Sequence, residues 1–308
     1  MITNDLKNYC LDSKTKALSW VRPVMIEKDA PECEVDELKS TTTTISSHNN
    51  GDNRFSSRYS ARLLGEKLNN LNLGDTSSLG DYASGPQIDE GGHKILMKCI
   101  HGVSNSLVAN TGLLNTMDSS CGDGDCGHTF AAGARGMYKM MSDGKLNGVF
   151  KLKKIMEILS ETVEDSMGGT SGGIYSLLLT AISQEMGTET KPTATNETWA
   201  RGLVRGMESI MRYGGAGPGS RTMLDPLHAL CTFLDKESHN TDTVTLWQNA
   251  AKVVDKETKR TKNMEAKAGR AAYVRRENLI YPDPGAHAFF VALTAIVNVL
   301  VDSKKYFE

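Results

Sequence analysis

Apolar residues recur every three or four positions over most of the chain after Glu90, which is the pattern of amphipathic α-helices. One stripe comprises Ile95, Leu96, Cys99, Ile100, Val103 and Leu107, and a second comprises Leu152, Ile155, Met156, Leu159 and Val163. The same spacing predicts helices over about 128–141, 172–186, 197–213, 222–235, 243–273 and 285–302. No segment shows the strict alternation of a half-buried strand. We therefore predict an all-α fold of about eight helices around a common core.

The first part of the chain has a different texture. Residues 24–90 carry a run of four threonines and several clusters of Ser, Asn, Asp and Gly, with few aliphatic residues to bury. We expect residues 23–90 to be a largely disordered linker, with one short helix over 60–71 where leucines have helical spacing. Residues 1–22 are too short for a domain, so the helical domain is expected over 91–304.

Composition and charge narrow the function classes. The chain has 308 residues, with 35 Lys and Arg against 37 Asp and Glu, a net charge of −2 and a pI near 6.4. Because no basic stripe is present, nucleic acid is not expected as a partner. The sequence has no uninterrupted apolar run near the ~20 residues of a bilayer span and no signal peptide. A cytosolic (cytoplasmic) protein without a membrane partner is expected.

Six cysteines are spread along the chain, and we read them as free thiols rather than as a disulfide framework. Cys121, Cys126 and His128 lie close together in sequence, but their spacing lacks the second ligand pair of a usual zinc site. A structural zinc ion is therefore not expected.

The densest chemical signal lies between Asn115 and Thr129, where Asp118, Asp123 and Asp125 fall within eight positions. Two carboxylates held about 4 Å apart repel by about 4 kcal/mol at an effective dielectric constant of 20. A hard divalent cation such as Mg²⁺ would offset that repulsion. A Ca²⁺-binding EF-hand does not fit, since no Glu follows at the twelfth position. The alternative is a solvated acidic turn.

A glycine-rich turn, Met167 to Gly173, precedes an apolar helix. Glycines and hydroxyls at a helix N-terminus expose backbone N–H groups that suit a phosphate. The chain has no GxxxxGK[ST] motif and no strand before the turn, which excludes Walker and Rossmann sites. A close helix–helix contact that requires glycine is the structural alternative.

Three further segments carry residues of interest: two contain an arginine, and the third has the form of a helix cap. Gly217 to Asp225 includes the letters G-P-G-S-R-T-M-L-D, and Gly269 to Tyr273 reads G-R-A-A-Y. Arg270 could clamp phosphate oxygens or pair with a neighbouring acid. Asp283-Pro284-Gly285 has the form of an N-cap followed by proline in the first helical turn.

These motifs, in this order, resemble the nucleotide-binding L domain of the dihydroxyacetone kinase family, most closely its animal triokinase/FMN cyclase branch. The resemblance covers residues 92–303 and rests on D-x-x-x-G-D-G-D-C-G, G-G-T-S-G, R-T-M-L-D, G-R-A-x-Y and D-P-G-A. It implies an antiparallel eight-helix barrel that holds ATP or ADP at one end through Mg²⁺, with two ions expected.

The resemblance also assigns residues. Asp118, Asp123 and Asp125 match the magnesium ligands of the family. The positions matching its ATP pocket are Cys126, Gly127, His128, Thr129, Gly169, Thr170, Ser171, Gly214, Thr222, Met223, Arg270, Asp283, Pro284 and Gly285. No catalytic side chain is expected beyond this metal and phosphate site, since phosphoryl transfer depends on positioning and charge neutralisation. Among the histidines, only His128 is expected to act, as a donor to phosphate.

The chain departs from the family in two places. Ser220 stands where relatives carry an Asp, which removes one acidic side chain near the nucleotide. Residues 1–22 resemble only the very end of the family's K domain, which holds dihydroxyacetone through a histidine. The triose, dihydroxyacetone or glyceraldehyde, would therefore have to arrive on a K domain in cis or in trans.

Three functions remain open at this stage. The first is a Mg·ATP-dependent donor domain of a glycerone kinase or triokinase. The second is an FMN cyclase, which splits FAD into AMP and cyclic riboflavin phosphate and could use Mn²⁺ or another divalent ion. The third is a nucleotide-binding regulatory protein without turnover. The sequence also leaves open whether the chain forms a homodimer.

Overall fold

The computed structural model describes residues 85–239 and 242–306. Nine α-helices form within these ranges. In chain order they are α1 (Glu90–Ala109), α2 (Thr111–Asp118), α3 (Cys126–Ser142), α4 (Leu152–Ser166), α5 (Gly169–Thr188), α6 (Asn196–Gly214), α7 (Leu224–Glu237), α8 (Thr243–Arg260) and α9 (Pro284–Asp302). The described residues contain no strand, only an isolated bridge between Gln87 and Lys151. The prediction of an all-α fold is confirmed.

Eight of these helices close into a ring. Helix α1 packs against α3, and each helix from α3 to α9 packs against the next. Helix α9 then returns to pack against α1, which completes the circle. The short α2 is not a member of the ring, because it contacts α1, α3 and α9 together. The expected eight-helix barrel is therefore present, with α2 as an additional element at one end.

The interior of the ring is apolar. A cluster on α1, α2, α3, α4 and α9 buries Leu107, Leu114, Phe130, Val163 and Ala288, together with Met167 at the end of α4. Val103, Cys126, Met137, Tyr175, Leu179 and Val291 pack around it. Leu107, Val103 and Val163 belong to the stripes that the sequence pattern identifies, whereas Leu114 lies on the short α2. Burial of these apolar side chains supplies the main force that closes the barrel.

Short connections close one end of the barrel, and we call this end the base. The amide of Gln87 donates to the Pro192 carbonyl (2.8 Å), and the amide of Ile88 donates to the Phe150 carbonyl (2.9 Å). The phenol of Tyr306 donates to the carboxylate of Asp89, the N-cap of α1. The first and last described residues therefore meet at the base.

The opposite end, which we call the rim, carries the connections 119–125, 167–168, 215–223 and 261–283. They reach the same end because consecutive ring helices run in opposite directions. The chain consequently brings every motif singled out in the sequence to one end of the barrel.

Helix α9 is long and apolar enough to cross a bilayer by length and composition, with a mean hydropathy of 1.8. The sequence-based prediction that no such segment exists was therefore too strict. From Pro284 to Val297 its residues are buried or half-buried against neighbouring helices, and Asn298 and Asp302 are exposed. Packing inside the barrel accounts for its apolar character.

Two boundaries differ from the predictions. Helix α2 was not predicted, because an eight-residue helix offers too few turns to show a stripe. The helix predicted over 243–273 ends at Arg260, and the chain continues through short 3-10 turns to Pro284. The helical spacing of buried residues in α8 ends at Thr258. Further along, Gly269 has a positive φ of 66°, which an α-helix cannot contain. The predictions for residues 1–84, namely the linker, the short helix at 60–71 and the K-domain remnant, lie outside the described residues.

A charged network ties α5 to α6 near the base. The Arg201 guanidinium donates to Glu185 (2.8 Å) and Glu189 (2.6 Å), whose side chains are only 5% and 8% exposed. The Glu189 carboxylate also accepts hydrogen bonds from the Thr198 hydroxyl (2.9 Å) and from the amides of Thr190 and Lys191. Burial alone would raise the pKa of Glu189, but these donors lower it to about 2.

This network predicts an acid-dependent loss of stability. Because the folded-state pKa of Glu189 is below its ordinary value of 4.5, its contribution is complete above pH 4.5 and is lost as the pH falls towards 2. Glu189→Gln should lower the free energy of unfolding at pH 7 by on the order of 3 kcal/mol. Denaturant titrations at several pH values should show that deficit shrinking below pH 4.5. Glu161→Gln, on the exposed face of α4, is the control; an equal deficit at pH 7 and pH 3 would contradict the network.

Candidate functional site

The three carboxylates predicted as metal ligands meet at the rim. One oxygen from each of Asp118, Asp123 and Asp125 can be chosen so that all three lie within 4.8 Å of one another. Asp118 is 9% exposed at the end of α2, whereas Asp123 and Asp125 are exposed in the loop that leads into α3. Among the described residues this is the one group of acidic, His or Cys side chains with such geometry. It can accept a hard cation on its open side.

Backbone amides hold Asp118 in place. Its Oδ2 accepts hydrogen bonds from the amides of Asp125 (3.0 Å) and Cys126 (3.1 Å), so that α2 and the start of α3 are joined through one carboxylate. Gly124 has a positive φ of 77°, which lets the loop reverse direction between the two exposed carboxylates. The arrangement is thus built by the loop itself.

Arg270 supplies the nearest positive charge. Its Nη1 forms an ion pair with the Asp123 carboxylate, and both side chains are exposed. The hydrogen bond from Arg270 lowers the pKa of Asp123. Asp125 behaves in the opposite way, since partial burial and the neighbouring Asp123 raise its pKa. The site holds more negative charge than Arg270 neutralises, as expected for a place where a cation binds.

The glycine turn lies at the N-terminus of α5 and is open to solvent. A Cβ added to Gly168, Gly169 or Gly173 would have no neighbour within 4 Å. The N-cap residue, Gly168, has no side chain that could accept a hydrogen bond from the first amides of the helix. Thr170, two positions later, is exposed. Backbone N–H groups at the start of α5 are therefore available to an anion. Gly172 differs, because an added Cβ would lie 1.8 Å from the Met167 carbonyl oxygen.

The loop between α6 and α7 is organised by Asp225. Its carboxylate accepts the amides of Gly219 (2.5 Å) and Thr222 (2.7 Å), which folds the chain back before α7. Gly214 ends α6, and Gly215 caps it in the left-handed conformation. This turn leaves Met223 5% exposed and Thr222 half-buried at the rim.

The last rim connection ends at Asp283, the N-cap of α9. The Asp283 Oδ2 accepts the amide of Ala286 (2.8 Å), while the Asp283 amide donates to the Thr261 hydroxyl (2.8 Å). Pro284 follows at the first helical position, as the sequence predicts. Burial raises the pKa of Asp283 to about 6, against the lowering effects of the Ala286 amide and Arg221.

His128, the histidine expected to act, is hydrogen-bonded to Asn115, the residue at which the acidic segment 115–129 begins. The His128 amide donates to the Asn115 Oδ1 (3.2 Å), and the Asn115 amide group also lies 3.2 Å from the His128 Nδ1. Burial raises the pKa of the Cys121 and Cys126 thiols.

Sequence reasoning missed two side chains at this end of the barrel. Asn115 orients His128, and Arg221 lies fully buried beneath the rim with a hydrogen bond to the Tyr281 carbonyl. The R-T-M-L-D motif includes Arg221, so the sequence did draw attention to this position. The sequence did not indicate that the Arg221 side chain is buried. The remaining predicted positions belong to the four rim connections or to the helix ends beside them.

Comparison with known proteins gives a consistent result. A family model described as the DAK2 domain matches residues 120–298. Triokinase/FMN cyclase of Homo sapiens is 38% identical over 188 residues, which cover 61% of this chain and 32% of the human protein. Dihydroxyacetone kinase of Komagataella pastoris is 30% identical over 260 residues, covering 78% of this chain and 40% of that protein. The chain thus spans about a third of the human relative's length.

Two solved structures share the fold. The native dihydroxyacetone kinase of C. freundii superposes with a TM-score of 0.54 and 24% identity, covering 84% of this chain and 38% of that one. The same enzyme in complex with AMP-PNP and Mg²⁺ gives a TM-score of 0.52 and 25% identity, over 73% of this chain and 37% of that one. The latter structure contains a nucleotide analogue and magnesium.

The glycine turn yields a paired prediction. Gly172→Ala should destabilise the protein by about 2 kcal/mol or more, because its Cβ would collide with the Met167 carbonyl. Gly173→Ala, one position later and in open space, should be neutral or stabilising by about 0.5–1 kcal/mol. Thermal unfolding of the two variants measures the difference. Equal effects would mean that the close approach of Gly172 to Met167 is not a constraint on the fold.

Proposed function

This chain belongs to the DAK2 domain family, as the family model over residues 120–298 shows, and from that premise we propose that it is the Mg·ATP-binding phosphoryl-donor domain of a dihydroxyacetone or glyceraldehyde kinase. The observation that carries the proposal is the convergence of Asp118, Asp123 and Asp125 at the rim. That cluster faces the same end of the barrel as the open glycine turn.

The donor set fits magnesium. Carboxylate oxygens are the ligands Mg²⁺ prefers, and the exposed Asp123 and Asp125 leave room for water and phosphate oxygens in its shell. When bound, the metal would neutralise charge on the phosphates and align the γ-phosphoryl group. Asp118, Asp123 and Asp125 would hold two such ions, by the resemblance described above.

The remaining site residues would hold the nucleotide. Free N–H groups at the start of α5, with the hydroxyls of Thr170 and Ser171, suit the phosphates. Arg270, which now pairs with Asp123 at an exposed position, is long enough to exchange that partner for a phosphate oxygen. The other proposed contacts are Cys126, Gly127, His128, Thr129, Gly169, Gly214, Thr222, Met223, Asp283, Pro284 and Gly285.

The phosphoryl acceptor, a triose, would be bound by a different domain. The histidine of the acidic loop, His128, is engaged by Asn115, and none of the proposed site residues is assigned to covalent capture of a triose. We therefore assign triose binding to a K domain in cis or in trans, acting in the cytosol. This division agrees with the chain's coverage of only about a third of the human relative.

A second candidate is FMN cyclisation. The human relative carries both triokinase and FMN cyclase in its name. Splitting FAD into AMP and a cyclic flavin phosphate takes place within one bound dinucleotide, so a metal–diphosphate site could perform it without a K domain. A regulatory protein that binds nucleotide without turnover is the third candidate, favoured by Ser220 in place of an acidic residue.

The metal assignment predicts a specific loss of binding. Asp123→Asn should weaken Mg²⁺-dependent ATP binding by about tenfold or more, because one ligand of the cluster loses its charge. Asp125→Asn should do the same without disturbing the Arg270 ion pair. Isothermal titration with ATP, with and without Mg²⁺, measures both. Asp143→Asn, which breaks only a surface pair with Lys139, is the control; unchanged binding in the first two variants would refute the site assignment.

The reaction can be decided with two substrate mixtures. If the chain is a kinase donor domain, adding the K domain of the Komagataella relative, dihydroxyacetone and Mg·ATP should produce ADP and a triose phosphate. FAD with Mn²⁺ should then release no AMP. AMP and a cyclic flavin phosphate from FAD, unaffected by dihydroxyacetone, would identify the cyclase instead. If the chain binds nucleotide but forms no product in either mixture, the result would support the regulatory protein without turnover.

A further inference from the structure

Arg221 is an unusual arginine. It is 0% exposed, the largest fully buried side chain of the described residues. Its backbone has a φ of 60°, and it is the one non-glycine residue with a positive φ in the described part of the chain. A left-handed backbone costs an ordinary residue about 1–2 kcal/mol, and a glycine would adopt it more easily. Something in the interior must therefore favour an arginine side chain at this position.

The guanidinium joins two separate rim connections. Arg221 precedes Thr222 and Met223, and its Nη2 donates to the Tyr281 carbonyl (2.8 Å), which lies 60 residues later in the chain. Its Nη1 lies 3.9 Å from Oδ1 of Asp283. Both contacts are with the segment that leads into Gly285. A Cβ on Gly285 would lie 4.0 Å from the Met223 Cβ, so the two segments lie against each other.

The hydrogen bonding of the Arg221 guanidinium is incomplete. Its Nε and Nη1 are buried and have no hydrogen-bond partner. At 3.9 Å, the pair with Asp283 is an electrostatic contact rather than a hydrogen bond. Buried donors without acceptors are costly, and a shift of about 1 Å would convert this contact into a charge-assisted bond.

The acidic loop does not depend on Arg221 in the same way. Asp118 is held by the amides of Asp125 and Cys126, and Asp123 pairs with Arg270. Arg221 does lie beside the Cys121 thiol of this loop, but its hydrogen bond and its ion pair are with Tyr281 and Asp283 and not with any of the three carboxylates. The carboxylates proposed for the metal and the segments proposed for the rest of the nucleotide are therefore held by different direct contacts.

We infer that Arg221 is a positioning residue for nucleotide binding, which holds the Thr222–Met223 segment against the Asp283–Gly285 segment. This inference rests on the proposed function, since it assumes that these two segments contact ATP. It assigns Arg221 no contact with the nucleotide itself. Its loss should therefore reduce affinity for ATP while leaving the metal cluster intact.

The test separates these two properties. We would measure Mn²⁺ binding without nucleotide by electron paramagnetic resonance, Mg·ATP binding by calorimetry, and the melting temperature of each variant. Arg221→Met removes the charge and the hydrogen-bond donors while keeping a side chain of similar volume. Arg221→Lys keeps the charge but lacks the planar set of N–H donors of a guanidinium. Arg201→Met is the matched control, because Arg201 is a half-buried arginine near the base. Its partner Glu185 lies 16 residues along α5 from Gly169, roughly 24 Å.

We expect Arg221→Met to weaken Mg·ATP binding roughly tenfold or more and Arg221→Lys to restore part of that loss, with Mn²⁺ affinity unchanged in both. Arg201→Met should lower the melting temperature without changing either affinity. A parallel loss of Mn²⁺ and Mg·ATP affinity, or no loss of either, would overturn the inference. If Arg221→Met does not fold, Arg221→Lys alone carries the test with the same outcomes. Wild-type protein that binds Mn²⁺ but no Mg·ATP would refute the proposed function, and this role with it.

Discussion

Mutual repulsion among Asp118, Asp123 and Asp125 is the constraint around which the rim is organised. Three carboxylates whose oxygens can lie within 4.8 Å of one another would separate unless the backbone held them. Amides from the start of α3 fix Asp118, and Arg270 reaches across from another connection to Asp123. These contacts leave residual negative charge on an open surface. The apolar barrel below provides the rigid support that lets the loop keep this unfavourable arrangement.

The ring topology explains how distant motifs come together. Because the eight long helices alternate in direction, every second connection falls at the rim, and the connections between them fall at the base. The rim connections contain glycine, acids and arginine, whereas the base is tied by backbone hydrogen bonds such as that from Gln87 to Pro192. Stability and chemistry are thus placed at opposite ends, as in other folds that carry function on loops.

Much of this could be predicted from the sequence, for identifiable reasons. The stripes on α1, α4 and α9 give the helices, because burial imposes a period of 3.6 on long elements. The acidic loop and the glycine turn stand out because their residue types are costly unless they bind something. By contrast, α2 is too short for a stripe, and the left-handed backbone of Gly269, which excludes a helix that continues to residue 273, does not show in the apolar spacing. The burial of Arg221 depends on how two connections 60 residues apart meet, which no local pattern contains.

The contact between Tyr306 and Asp89 has a consequence for how the barrel can be joined to other domains. It brings the start and the end of the described chain together at the base, about 30 Å from the rim, the length of the 20-residue helix α1. A domain fused before Gly85 that must deliver a small molecule to the rim would need a tether of at least about nine extended residues along the barrel wall. Tether length, rather than any surface of the barrel, would then set the effective concentration at which the two halves meet.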